Sequence, residues 1–177
     1  LLNVSEFTDV NEATEAMVSM SQAYDTLSKD DIVDKLNNVG NNFSISTQGL
    51  AEGVQRSASA LKTAGNDMDS AIALMTAGNA VVQDPTSVGA GLRTIALRLT
   101  GTKEGAQSLQ DSGEDIDGMI TTVSKLRDTI KSATAVASNG FKGFDIFDKN
   151  GNYKSTYENL LGISQVYKEI VETDAKT

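Results

Sequence analysis

Paired acids stand at Asp30 and Asp31, at Asp67 and Asp69, and at Glu114, Asp115 and Asp117. Two carboxylates flanking a glycosidic bond can cleave it, one as acid and the other as nucleophile or base. A catalytic acid needs an apolar setting that raises its pKa, and none of these acids has apolar sequence neighbours of that kind. Acids at helix starts and in polar loops are what capping and solubility already require. The stretch from Asp145 to Tyr157 invites a calcium reading, because Asp148, Asn150 and Gly151 imitate positions three, five and six of an EF-hand loop. Position one is then Ile146 and position twelve Tyr157, so the first carboxylate and the closing bidentate glutamate are both missing. Asn150-Gly151 between short apolar segments reads instead as a hairpin turn, since both residues accept positive φ.

Other chemistry is bounded by residues that are absent. The 177 residues hold no histidine, no cysteine and no tryptophan. That excludes disulfides, thiol nucleophiles, Ser-His-Asp and Cys-His catalysis, and imidazole or thiolate metal sites. Gly89-Ala90-Gly91 follows no strand, and no Gly-Lys-Ser or Gly-Lys-Thr triplet marks a phosphate cradle. Arg93 and Arg98 flank an apolar stripe, and two arginines in an acidic chain serve carboxylates and helix ends rather than a nucleic-acid footprint. With a net charge of −9, the chain as a whole does not attract phosphate backbones. The sequence therefore assigns no catalytic, cofactor-binding or metal-ligating residue, predicts no cofactor, and leaves carboxylate chemistry, hard-cation binding, or no reaction.

The elements that would position these residues read as helices. Hydrophobic residues make up 39% and aromatics 5%, so Ala, Leu, Val and Ile must build the core, which favours helical packing. Acidity is concentrated near the start: residues 1–50 hold eight acids and two bases, residues 51–100 four of each. Apolar residues recurring every three or four positions predict a helix over Asp9–Asp25 (Val10, Ala13, Met17, Met20, Tyr24). A second begins at Asp31 (Ile32, Leu36, Val39, Phe43), capped by Asp30 or Ser28. The third starts at Ser46 or Thr47 (Leu50, Val54, Ala58, Leu61) and stops at Gly65. The fourth is capped by Asn66 (Met68, Ala71, Ile72, Met75), and the fifth is announced by Asp84-Pro85 (Val88, Leu92, Ile95, Leu99). Residues 101–119, rich in Gly, Asp, Glu, Ser and Gln, read as a loop or frayed helix. A helix over Met119–Val136 (Ile120, Val123, Leu126, Ile130) precedes the turn, and Ser155 or Thr156 caps the last one (Tyr157, Leu160, Leu161, Ile163, Val166, Tyr167, Ile170). The predicted fold is all-α, a compact bundle of six to seven short amphipathic helices with one small β-hairpin near residues 145–154. The predicted domains are an N-terminal helix over residues 1–30, linking to any preceding chain, and a helical domain over 31–177. Uncharged apolar-leaning runs such as Ser70–Gln83 fall short of the roughly 20 apolar residues a membrane span needs. A start at Leu1 rather than Met suggests a piece of a longer protein.

Three segments resemble a known family, the phage tail tape measure proteins. LAEGVQRSASALKTAGNDMDSAIALMTAGN (50–79) resembles its pair of Ala-rich helices separated by Ala-Gly-Asn. VVQDPTSVGAGLRTIALRLTGT (81–102) is similar to its Asp-Pro start, Gly-rich turn and Leu-Arg-Thr-Ile helix. DIFDKNGNYKSTYENLLGISQVYKEI (145–170) looks like its hairpin-plus-helix, which follows a Ser-Lys-Leu-Arg helix, here Ser124–Arg127. With their connections these span roughly 31–177. The resemblance implies a non-enzymatic, structural part of a phage or prophage tail. It would be a module of the long helical chain that occupies the tail-tube lumen and sets tail length. Implied partners are copies of itself, the tail tube protein, tail assembly chaperones and tail tip proteins, with no sequence-specific nucleic-acid binding. Transient membrane contact would belong to other parts of the parent chain. The implied location is the virion tail, assembled in the bacterial host cytoplasm. Two alternatives are a carboxylate-dependent peptidoglycan-degrading domain, with two acids about 5 to 9.5 Å apart in a cleft, and a helical adaptor of a secretion or surface assembly.

Overall fold

A computed structural model describes residues 9–135 and 141–174, with side chains described as far as Tyr167. Among the described residues there are eight α-helices: α1 (Val10–Ala23), α2 (Lys29–Asn42), α3 (Thr47–Thr63), α4 (Met68–Val82), α5 (Pro85–Thr100), α6 (Lys103–Gln110), α7 (Val123–Thr134) and α8 (Thr156–Asp174). The fold is all-α, as the periodicity predicts. The chain divides into two compact units, with the boundary between Ala96 and Leu97, inside α5.

In the first unit every helix start is set by a side chain that satisfies backbone N–H groups the helix leaves unpaired. Asp9 accepts from Asn11 N and Glu12 N, Ser46 from Gly49 N, Asp67 from Ser70 N, and Asp84 from Thr86 N and Ser87 N. Of the two residues proposed to cap α2, it is Ser28 that does so, in a reciprocal box in which Asp31 accepts from the Ser28 backbone N–H. These bonds stabilise the ionised acids, so hydrogen bonds from Ser28, Ser70 and Ser87 hold Asp31, Asp67 and Asp84 below the usual carboxylate range.

The junction of α3 and α4 corrects the sequence reading. Gly65 adopts φ +80°, and Gly65 N and Asn66 N donate back to the carbonyls of Lys62 and Leu61 at 3.0 and 2.9 Å. That is the Schellman arrangement, which closes the outgoing carbonyls of α3. Asn66 is buried, and its amide also donates to Leu61 O at 2.8 Å. Asn66 thus ends α3, and Asp67 begins α4.

Helix α3 is the axis of this unit and packs against α1, α2 and α4. Its predicted stripe, Leu50, Val54, Ala58 and Leu61, is wholly buried. So are Ala51, Gly53, Ser57 and Ala60, because α3 has neighbours on more than one side and only small residues let them all approach. From α4, Met68, Ala71, Ile72 and Met75 complete this core. The outer stripes are less faithful: Val10 and Phe43, predicted as core, are 60% and 58% exposed. Ala16 is buried on α1 instead. In α5, Ile95 is exposed, and Ala96 and Leu97 are buried beside Val88 and Leu92.

The second unit contains an ordered helix over the first part of residues 101–119, for which a loop or frayed helix is predicted. Thr102 caps α6 by accepting from Gly105 N at 3.1 Å, and Ala106 and Leu109 are buried. Two buried apolar residues on one face of an eight-residue helix were hidden among the polar ones. With α6 the described helices number eight rather than six or seven. Helix α7 starts at Val123, four residues later than predicted. A turn closed by Met119 N to Ile116 O, with Gly118 at φ +70°, ends at the predicted start, and residues 120–122 are not helical. Its predicted end at Val136 lies outside the described residues, as does the side chain of Ile170. Helix α8 opens on a box in which Ser155 Oγ accepts from Glu158 N and Glu158 accepts from Ser155 N.

Candidate functional site

The segment singled out for its chemistry, residues 145–157, is where charge and aromatic surface converge in the second unit. The predicted hairpin shrinks to one isolated antiparallel bridge, Phe147 to Tyr153, with no strand on either side among the described residues. Two backbone bonds cross the loop, Asp148 N to Asn152 O at 2.8 Å and Lys154 N to Ile146 O at 2.9 Å, and side chains supply the rest. Asp148 Oδ1 accepts from Asn150 N and Asn152 N at 2.8 Å each, and Asp148 Oδ2 accepts from Asn152 Nδ2 at 3.1 Å. Gly151 turns the chain at φ +82°. The aromatic rings of Phe147 and Tyr153 meet edge to face at 5.4 Å, and burial pushes the Tyr153 hydroxyl up to about 12.

Asp145 is the hub. Its carboxylate receives two parallel bonds from Arg127, at 2.8 and 2.6 Å, a third from Lys131 at 3.1 Å, and a fourth from Phe147 N at 3.1 Å. Its carbonyl accepts from Lys154 Nζ at 2.8 Å. The same cations lie over rings: Arg127 is 5.1 Å from the centre of Phe147, and Lys154 is 4.4 Å from that of Phe144. The Phe144 ring lies over Gly162 of α8, where no side chain obstructs it. Buried Asn159 of α8 donates to Lys154 O at 3.0 Å. Arg127 and Lys131 are one turn apart on α7, so their common face was legible, whereas the acid they select, 18 and 14 residues further on, was not.

This geometry binds the loop to itself rather than to a ligand. The Arg127 hydrogen bonds, more than any other cause, hold Asp145 well below the usual carboxylate range. The backbone N–H of Asn152 does the same for Asp148. Neither acid is prepared to deliver a proton near neutrality. The oxygens of Asp148 that an EF-hand would offer to calcium are taken up by N–H donors. Among the described residues no group of three or more acidic side chains is gathered to hold a metal.

The other singled-out acids are dispersed. Asp31 and Asp67 are caps, Asp69 pairs with Lys35 at 2.5 Å, and Asp115 accepts from Asp117 N at 2.8 Å. Arg98 donates to the carbonyl of Asp115 at 2.6 Å, a structural tie across the α6 region. Arg93, on α5, is partly exposed.

Two expected results follow here. Asp145→Asn should lower stability by about 1–2 kcal/mol at neutral pH, a figure reduced for the partial exposure of Arg127. Because the folded-state pKa lies below the ordinary 3.8, the contribution is present above that value and fades as pH falls below it. Urea titrations at pH 7 and pH 3 should therefore find the gap between wild type and variant narrowing in acid. Gly151→Val should cost about 1–2 kcal/mol. A side chain there meets open space, so the whole effect is the backbone conformation. An unchanged melting temperature would remove the positive-φ turn from the account.

A family model described as phage-related minor tail protein matches residues 1–177. No solved structure matches the chain.

Proposed function

The chain belongs to the phage-related minor tail protein family, and from that premise we propose that it is a structural, non-catalytic module of a tail's tape measure protein, which sets tail length. The observation that carries this reading is the match over the full 177 residues. The fold agrees with it in three ways. The apolar face of α3 is spent on helix packing. The shifted carboxylates are all depressed, Asp31, Asp67 and Asp84 by helix caps, Asp148 by the N–H groups of its own turn, and Asp145 by Arg127. No described helix is long and apolar enough to cross a membrane.

In this reading residues 31–177 are the conserved module, residues 1–30 lead into it, and its partners are copies of itself, tube protein, assembly chaperones and tip proteins. The negative charge lets the module share a lumen with DNA without adhering to it. Tight retention of DNA by the purified chain in low-salt filter binding would contradict that role. The decisive experiment is genetic: in-frame deletions in helical stretches of the parent gene outside these residues, with tails measured by electron microscopy. Tails should shorten by about 1.5 Å for each helical residue removed. Unchanged length would overturn the ruler role, and cell-wall clearing by the purified chain would overturn the non-catalytic one.

A further inference from the structure

We propose that the groove between α1 and α2 is a docking site for a cationic amphipathic helix of a partner protein. The groove encloses about 580 Å³, and its apolar lining comes from Ala13, Met17, Val18 and Val33. Helix α1 turns Ala13, Ala16 and Met20 inward, yet Val10 and Val18 remain 60% and 50% exposed. Val10, Met17 and Val18 lie seven and eight residues apart along one side of α1, so the exposed apolar surface runs on from the groove rather than being scattered. Both walls are helices of 14 residues, about 21 Å long, which is room for a helix of nearly four turns.

The charge around the groove selects the occupant. Asp30 lines it. Exposed Glu15 and Asp34 stand three and four residues from Val18 and Asp30, the spacing that makes side chains neighbours on a helix. Lys29 is the single base in the lining, and the other base of α2, Lys35, is engaged with Asp69. A second copy of this chain would bring another net −9 to an acidic rim, and repulsion opposes that pairing. A helix with an apolar stripe and basic flanks satisfies floor and rim together. The inference goes beyond the ruler role and does not depend on it, because it concerns what the folded chain binds in solution.

The test uses the 177-residue chain and a synthetic helix-forming peptide of about 14 residues, with Leu at i, i+3, i+4 and i+7 and Lys on the remaining faces. Its counterpart carries Glu in place of Lys. Fluorescence anisotropy at low salt should find the Lys peptide bound and the Glu peptide at least about tenfold weaker. Val18→Arg and, separately, Asp30→Lys with Asp34→Lys should each weaken the Lys peptide about tenfold. Val81→Arg, at an 85% exposed position of α4, should leave affinity unchanged. No binding of the Lys peptide, equal binding of both peptides, or loss of binding in Val81→Arg would overturn the proposal. Circular dichroism checks that the variants stay folded. If Val18→Arg unfolds, the exposed charge pair decides, and wild-type affinity in that pair overturns the site.

Discussion

Replacing Gly89 by valine is expected to lower stability by about 3 kcal/mol or more, the largest effect of any single substitution considered for the first unit. A Cβ at Gly89 falls 2.3 Å from the carbonyl oxygen of Gly53 and 2.9 Å from its Cα. Both contacts are backbone, so no rotamer change relieves them, and α5 must separate from α3. Gly53 is equally hemmed in, with a Cβ there 2.7 Å from Pro85 O. The two glycines therefore form a crossing at which the two helix backbones touch. Gly91, two residues further along α5, is the control. It is exposed and a Cβ there meets nothing within 4 Å. Gly91→Ala should gain about 0.5–1 kcal/mol, because alanine restricts the unfolded chain and favours helix. Urea midpoints moving in opposite directions would establish the crossing. A Gly89→Val chain as stable as wild type would show that α5 does not approach α3 this closely.

The second large effect is expected at Gly143. This residue has φ +92°, and a Cβ would fall 1.8 Å from the carbonyl oxygen of Lys131. Gly143→Ala therefore combines an unfavourable backbone conformation with a collision against α7, for a loss of roughly 3 kcal/mol. The neighbouring Phe144 N donates to Thr134 Oγ1 at 2.7 Å, so displacing residue 143 also draws Asp145 away from Arg127 and Lys131. The loss should consequently overlap with that of Asp145→Asn, and the double variant should be less destabilised than the sum of the two. Full additivity in thermal or urea unfolding would separate the glycine from the ion-pair hub.

The particular failures of the sequence reading share a cause. Asn66 and Asp67 are adjacent and both are good caps, so only the Schellman bonds to Leu61 and Lys62 decide that one residue closes a helix and the other opens the next. Ala106 and Leu109 are too few to declare α6 by periodicity, and burial is what makes them a helix face. Asn150-Gly151 signalled the turn correctly, but pairing stops at the one bridge from Phe147 to Tyr153, and on the turn side Asp148 Oδ1 takes the N–H groups of Asn150 and Asn152. The Arg127–Asp145–Lys131 cluster had no spacing signature at all, since an ion pair between distant segments leaves no local pattern.

What the residues alone determined is local and chemical: which segments are helical, where most of them start, which faces of α3 and α4 are apolar, and which chemistries lack the side chains they need. Those conclusions rest on interactions within a few residues, which composition and spacing encode directly. Only the tertiary structure decided that α3 is enclosed from several sides, that Gly53 and Gly89 let two backbones touch, that Asp145 gathers two cations from α7, and that Val10 and Val18 stay exposed beside the groove between α1 and α2. Each of those depends on which elements meet, and meeting is set by three-dimensional packing rather than by neighbours along the chain.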